Sequence, residues 1–352
     1  MRGDRVIDRS EMSLRPPTGF DLRDAVCYGR RRSAHPLPAA VLVHSALRTV
    51  PPRAVDARGP AVRPPSGRRV ILAVESIGYL VPRTEFSGRV HSVFAQACNL
   101  ACNDALLTLQ SRGDGPATLR LASGTRVDLR NHFDVGERVD CGAGCARTSR
   151  VELCLLHATV WRPAKPGPRQ PWARIEAHLG NARAALSRRR AKQRNVLDGA
   201  AAEPAAALGD ACRALDCERA VRHASCLIGW GEGLTPAGDD FLVGLLAGLD
   251  VLADGDQRRL RFHAALAAAI AAGAERTTPI AAQCLRLAAR GHCSESLLRL
   301  RDALLCEDEE GVVGTALDDA LDIGATSGAD TVSGLLAALV AWSPAPCSAQ
   351  AA

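Results

Sequence analysis

A chain of 352 residues with 47% apolar content is long enough for two packed domains, and with aromatics at only 3% their cores should be aliphatic and largely helical. The net charge of +6 sits mostly in the Arg-rich first seventy residues and in Ser187–Arg194, with few aromatics interleaved, so it reads as a solvated surface and nucleic acid is not an expected partner. Thirteen scattered cysteines fit reduced thiols and not a disulfide framework, Met1–Arg5 lacks a signal-peptide core, and no uncharged apolar run reaches spanning length, which together predict a cytoplasmic protein with no membrane contact.

Residues 1–69 carry Arg-Pro-Pro, Pro-Leu-Pro and Val-Pro-Pro-Arg without sustained periodicity and read as a loosely ordered extension, relieved by one apolar patch from Pro38 to Leu47. From Val70 the texture changes. Short apolar or alternating runs at Val70–Val74, Ile77–Val81, Gly88–Phe94, Ala105–Leu109, Ala117–Leu121 and Val151–Leu155, separated by turns such as Arg112–Pro116, predict a β-rich domain over 70–165. It contains two close cysteine pairs, Cys98/Cys102 and Cys141/Cys145. A four-thiol zinc site is the sharper reading and buried or incidental thiols the favoured one.

Residues 166–209 hold a helix that begins near Pro171-Trp172, with Trp172, Ile175, His178, Leu179, Ala182 and Leu186 at helical spacing, followed by an alanine-rich link. Beyond Asp210 the period is 3.6, and helices are expected near 210–226, 236–254, 257–273, 278–290, 294–306, 311–322 and 328–342, giving an all-α domain over 210–345. The fold class is therefore α+β, a β-rich domain followed by an all-α one.

Chemistry concentrates at Gly229–Gly244, where three glycines, Thr235-Pro236 and paired acids precede a helix; Thr235 reads as its cap and Pro236 as its first turn. A weaker copy follows about ninety residues later, in which Gly324, Thr326, Gly328, Asp330 and Gly334 match Gly233, Thr235, Gly238, Asp240 and Gly244. In both copies the acid precedes a glycine by four, so carboxylate and bare backbone share one helix face. Either motif alone would serve as a capped helix with packing glycines, and the repetition favours a site.

A third helix start, Arg276-Thr277-Thr278-Pro279, offers free N–H groups, hydroxyls and a charge suited to an anion. In the expected pocket Thr235, Thr277, Thr278, Thr326 and Ser327 donate to a small anionic metabolite beside Arg276, and Gly233, Gly238, Gly324 and Gly328 admit backbone. Asp239, Asp240 and Asp330 are the catalytic candidates, which must face an amide N–H or a bridging cation; no metal ligand set is assigned, and Mg²⁺ is the candidate cofactor. P-loop, dinucleotide, Gly-x-Ser-x-Gly and His-Glu-x-x-His motifs are absent, and the nine histidines are dispersed.

The segments Gly231–Gly244 and Ile323–Asp330, with weaker support at Gly88–Phe94 and Thr277–Ile280, resemble a bacterial family that includes the AllH-type subunit of oxamate carbamoyltransferase, long catalogued as a domain of unknown function. The likeness spans about 70–342, and Trp230 and Glu232 depart from the smaller or neutral residues expected there. The resemblance implies a part in anaerobic allantoin breakdown, in which oxalurate and phosphate yield oxamate and carbamoyl phosphate, with companion carbamoyltransferase subunits as partners. The alternatives are a non-catalytic scaffold whose glycine-faced helices dock on partners, or a metabolite sensor.

Overall fold

The computed structural model describes residues 69–103, 105–191, 201–253, 255–307 and 309–344. The extension before Arg69 with its Pro38–Leu47 patch, the tail of the basic run at Lys192–Arg194 and the link at 198–200 lie outside the described residues.

Among the described residues nine strands form the first part: β1 (Val70–Gly78), β2 (Phe86–Val93), β3 (Ala97–Cys102), β4 (Ala105–Gln110), β5 (Thr118–Leu121), β6 (Arg138–Gly142), β7 (Cys145–Arg147), β8 (Val151–Cys154) and β9 (Thr159–Trp161). Their order is β5-β4-β3-β2-β6-β7-β8-β1-β9, and β5 also pairs with β1, so eight strands close on themselves and β9 adds to β1 from outside. Closure removes the free edges that an open sheet would expose. The pleat explains why an apolar run such as Val70–Val74 suits a barrel: Leu72 and Val74 point into the core, whereas Ile71 is 69% exposed. Cys98 and Cys102 also lie in that core, and among the described residues no group of three or more His, Cys, Asp or Glu is arranged to hold a metal ion.

The second part holds α1 (Trp172–Arg190), α2 (Ala202–Ala214), α3 (Cys217–Leu227), α4 (Ala237–Leu252), α5 (Gln257–Gly273), α6 (Pro279–Ala288), α7 (Glu295–Cys306), α8 (Glu310–Leu321) and α9 (Ser327–Ala341). The expected stripe on α1 is buried at Ile175, His178, Leu179, Ala182 and Leu186. The helix expected over 210–226 is two helices. Leu215 takes a left-handed φ of 54° that ends α2, and the Asp216 carboxylate then accepts the Arg219 N–H (3.1 Å) to cap α3.

At the centre α4 and α9 pack backbone to backbone. A Cβ on Gly244 would overlap the Thr331 carbonyl, and one on Gly334 would overlap the Phe241 carbonyl, so only glycine allows this approach. The barrel is joined to the helices by a reciprocal pair, Asp114 N–H to Glu295 Oε2 (3.0 Å) and Glu295 N–H to the Asp114 carbonyl (2.9 Å). Tyr79 Oη to His292 Nδ1 (2.9 Å) and Gln283 Nε2 to the Leu106 carbonyl (3.1 Å) extend the joint.

Candidate functional site

The starts of α4, α6 and α9 meet. The Thr235 and Ser327 hydroxyls lie 2.8 Å apart, linking the two quasi-repeated segments. Thr277 donates to Asp239 Oδ2 (2.5 Å), and the Thr278 hydroxyl donates to the Leu234 carbonyl. Thr278 is also the N-cap of α6, accepting the Ala281 N–H (3.1 Å) ahead of Pro279.

The expected cap of α4 is different. Pro236, with ψ of 144°, occupies the N-cap position and offers no side-chain acceptor, which leaves the Thr235 hydroxyl free to turn toward Ser327. Thr326 stands at the N-cap of α9 and likewise makes no capping bond from its side chain. Neither helix start is capped by a side-chain oxygen; backbone carbonyls take first-turn N–H groups instead, Trp230 that of Gly238 (2.9 Å), Pro236 that of Asp239 (3.0 Å) and Ile323 that of Gly328 (2.9 Å).

The glycines divide. Gly238 and Gly328 are packing residues, because a Cβ would overlap the Leu227 and Ala320 carbonyls at the ends of α3 and α8. Gly233 and Gly324 lie in the exposed loops, with φ of 93° and 60°. Arg276 is exposed and donates to the Ser225 carbonyl (2.5 Å), so its reach into the cluster is limited to a weak lowering of the Asp239 pKa.

The acids divide too. Asp239 is buried with both oxygens bonded, Oδ1 by the Gly229 N–H (3.0 Å) and Oδ2 by Thr277. Burial raises its pKa, and those two donors oppose the rise. This carboxyl holds the loop before α4 and the start of α6 together. Asp240 is 9% exposed, and its Oδ2 has no hydrogen-bond partner among the described residues. Burial pushes its carboxyl up to about 8; Ser327 and Thr235 oppose the rise, while Asp330 and Asp239 add to it. Asp330 is fully buried, with its N–H on the Thr326 carbonyl (3.0 Å).

Cys284 on α6 was not among the sequence candidates, yet its thiol lies in the field of Asp240 and Asp239. Desolvation first, then those carboxyls, push it up to about 12, which keeps it a thiol at neutral pH. Its only sequence signal is its position about two turns past Thr278, which no periodicity argument singles out. His292, the histidine nearest this region in sequence after His223, belongs to the joint with the barrel.

A groove of about 480 Å³ bordered by Arg183, Arg190, Phe241 and Leu336, and a smaller one over Ser87–Arg89, involve none of the predicted site residues. On the glycine-rich loops before α4 and α9, Trp230, Leu234 and Ile323 are 38%, 45% and 43% exposed, an apolar rim.

A closed barrel joined to helices whose glycine-faced central pair gathers hydroxyls over buried acids defines an α+β protein with one concentrated polar cluster. Two family models match it: the AllH family N-terminal domain over residues 71–159, and oxamate carbamoyltransferase subunit AllH over residues 227–339. Together they span more than half of the chain, which belongs to the AllH family. No curated protein and no solved structure gives a significant match. Among the described residues no helix is long and apolar enough to cross a membrane.

Proposed function

We propose that this chain is the substrate-handling subunit of a cytoplasmic carbamoyltransferase of the oxamate type, working with companion subunits on a small anionic carbamoyl or phosphate ligand. The observation that carries the reading is the convergence of the α4 and α9 starts on Asp240, a buried carboxyl with one oxygen unpartnered and a pKa near 8, with the α6 start tied in beside it through Asp239. On this reading the ligand enters by parting Thr235 from Ser327, and the freed hydroxyls, with Thr326 and the positive ends of the α4 and α9 dipoles, receive its anionic end. Thr278 sets the third wall.

The reaction needs a proton at a defined atom. A phosphate oxygen attacks the carbamoyl carbon of oxalurate, the bond to the oxamate nitrogen breaks, and that nitrogen must gain a proton to leave as an amide. Asp240, protonated below about pH 8, supplies it and regains one from the attacking hydrogen phosphate. Asp330 orients the carbamoyl N–H₂, and Asp239 holds Thr277 and the Gly229 loop in place. Mg²⁺, if required, would neutralise the phosphate beside these acids.

The scaffold alternative relied on glycine faces for partners, but Gly244 and Gly334 are occupied by each other's helices. What supports docking of companion subunits instead is the rim of Trp230, Leu234 and Ile323, which a partner would cover while drying the site. The test is oxamate carbamoyltransferase activity of the assembled complex. Asp240→Asn should lower kcat by about 100-fold or more, the usual contribution of a positioned acid, and Thr326→Ala should raise KM for phosphate. Unchanged kinetics in both variants would reject the assignment.

A further inference from the structure

The sequence pairs Cys141 with Cys145 by proximity, but the hairpin separates them. Cys141 lies opposite Ala146, which points into the barrel core, whereas Cys145 alternates to the outer face. The register places Cys145 directly opposite Cys154 on the neighbouring strand, with the next outward rung formed by Arg147 and Glu152 (2.9 Å). Among the described residues this is the cross-strand rung with a cysteine at both ends.

Backbone hydrogen bonds fix the type of rung. Leu155 N–H reaches the Gly144 carbonyl (2.8 Å) on one side, and Thr148 N–H reaches the Val151 carbonyl (2.9 Å) further along. Because bonded and non-bonded rungs alternate in an antiparallel ladder, Cys145 and Cys154 form a non-bonded rung, where Cα atoms stand about 4.5 Å apart. A disulfide spans Cα separations from about 4.4 Å to 6.8 Å, so the bond can close with little movement of either strand. Cys154 is partly exposed and Cys145 is buried beside it.

We propose that Cys145 and Cys154 are an oxidisable dithiol, a modification site at which a hydroperoxide makes a reversible disulfide across the outer face of the barrel. The partly exposed Cys154 sulfur attacks the peroxide as its thiol proton passes to the leaving oxygen, the O–O bond breaks, and Cys154 becomes a sulfenic acid as water or alcohol leaves. Cys145 sulfur then attacks Cys154 sulfur, the S–O bond breaks, and the departing hydroxide takes the Cys145 proton as water. Two thiols are oxidised and one hydroperoxide reduced.

The full chain, purified reduced, is treated with hydrogen peroxide, alkylated and mapped as peptides without reductant. The expected result is a Cys145–Cys154 linked peptide, two of the thirteen thiols lost to it, and full recovery with a dithiol reductant. Cys145→Ser should leave Cys154 as a sulfenic acid captured by a dione reagent, and Cys154→Ser should leave Cys145 reduced. Both cysteines recovered alkylated, or Cys154 linked to another thiol, would overturn the proposal on the wild-type chain alone.

Discussion

Asp240 makes a prediction about pH that is separate from activity. Its folded pKa, about 8, lies above the ordinary 3.8, so between those values the native chain keeps a proton that the unfolded chain releases. The stability linked to that proton is complete below about pH 4 and is lost as pH rises through 8, with a slope near 1.4 kcal/mol per unit at most. Asp240→Asn should therefore melt at a higher temperature than wild type at pH 8.5, and the gap should narrow toward pH 5. Parallel melting curves across that range would show that Asp240 ionises normally. At this scale the sequence revealed which residues meet, through the shared order of hydroxyl, glycine and acid, but not what each does. The Thr235-Pro236 pair reads as a cap followed by a first turn, and the proline took the cap position instead. The different fates of Asp239 and Asp240 depend on Gly229 and Thr277, ten and thirty-eight positions away from Asp239.

Among the elements, α4 and α9 place the strictest demand on sequence. Gly244→Ala or Gly334→Ala would push a methyl into a carbonyl of the facing helix, and overpacking of this kind costs about 1–3 kcal/mol or more. Gly314→Ala on α8, where nothing lies within 4 Å, should instead stabilise the chain by up to about 1 kcal/mol from helix propensity. Urea unfolding of the three variants checks both signs, and equal effects at 244 and 314 would refute close backbone contact. Helices were the legible elements because α4 through α9 are long alanine- and leucine-rich runs with recognisable starts and stops. The break at Leu215 was hidden because a leucine, not a glycine, adopts the left-handed turn. In the barrel, β3, β6, β7 and β9 escaped notice for another reason. Ala97–Cys102, Arg138–Gly142 and Cys145–Arg147 contain residues of weak strand preference, Thr159–Trp161 is only three residues long, and their pairing with β1, β2, β4, β6, β7 and β8 is information that no local window holds.

For the whole molecule, the exposed rim of Trp230, Leu234 and Ile323 is where assembly should be decided. Leu234→Asp combined with Ile323→Asp, co-expressed with the remaining oxamate carbamoyltransferase subunits, should weaken co-purification about tenfold or more, the loss expected from about 1.4 kcal/mol. The isolated variant should melt like wild type, since both side chains face solvent. Undiminished recovery of the complex would place the interface elsewhere. The central helices have a different kind of symmetry. Residue 244 meets 331 and residue 334 meets 241, contacts that exchange under one offset of 90 positions. This is the reciprocity of a twofold homodimer, held within a single polypeptide. A true homodimer must keep both halves alike, whereas a covalently joined pair can let them diverge. Where one half reads Pro236-Ala237 the other has Ser327 alone, and that serine supplies the bond to Thr235. On the proposed mechanism, asymmetry at the seam is what would let two related acids, Asp240 and Asp330, take unequal parts in one reaction.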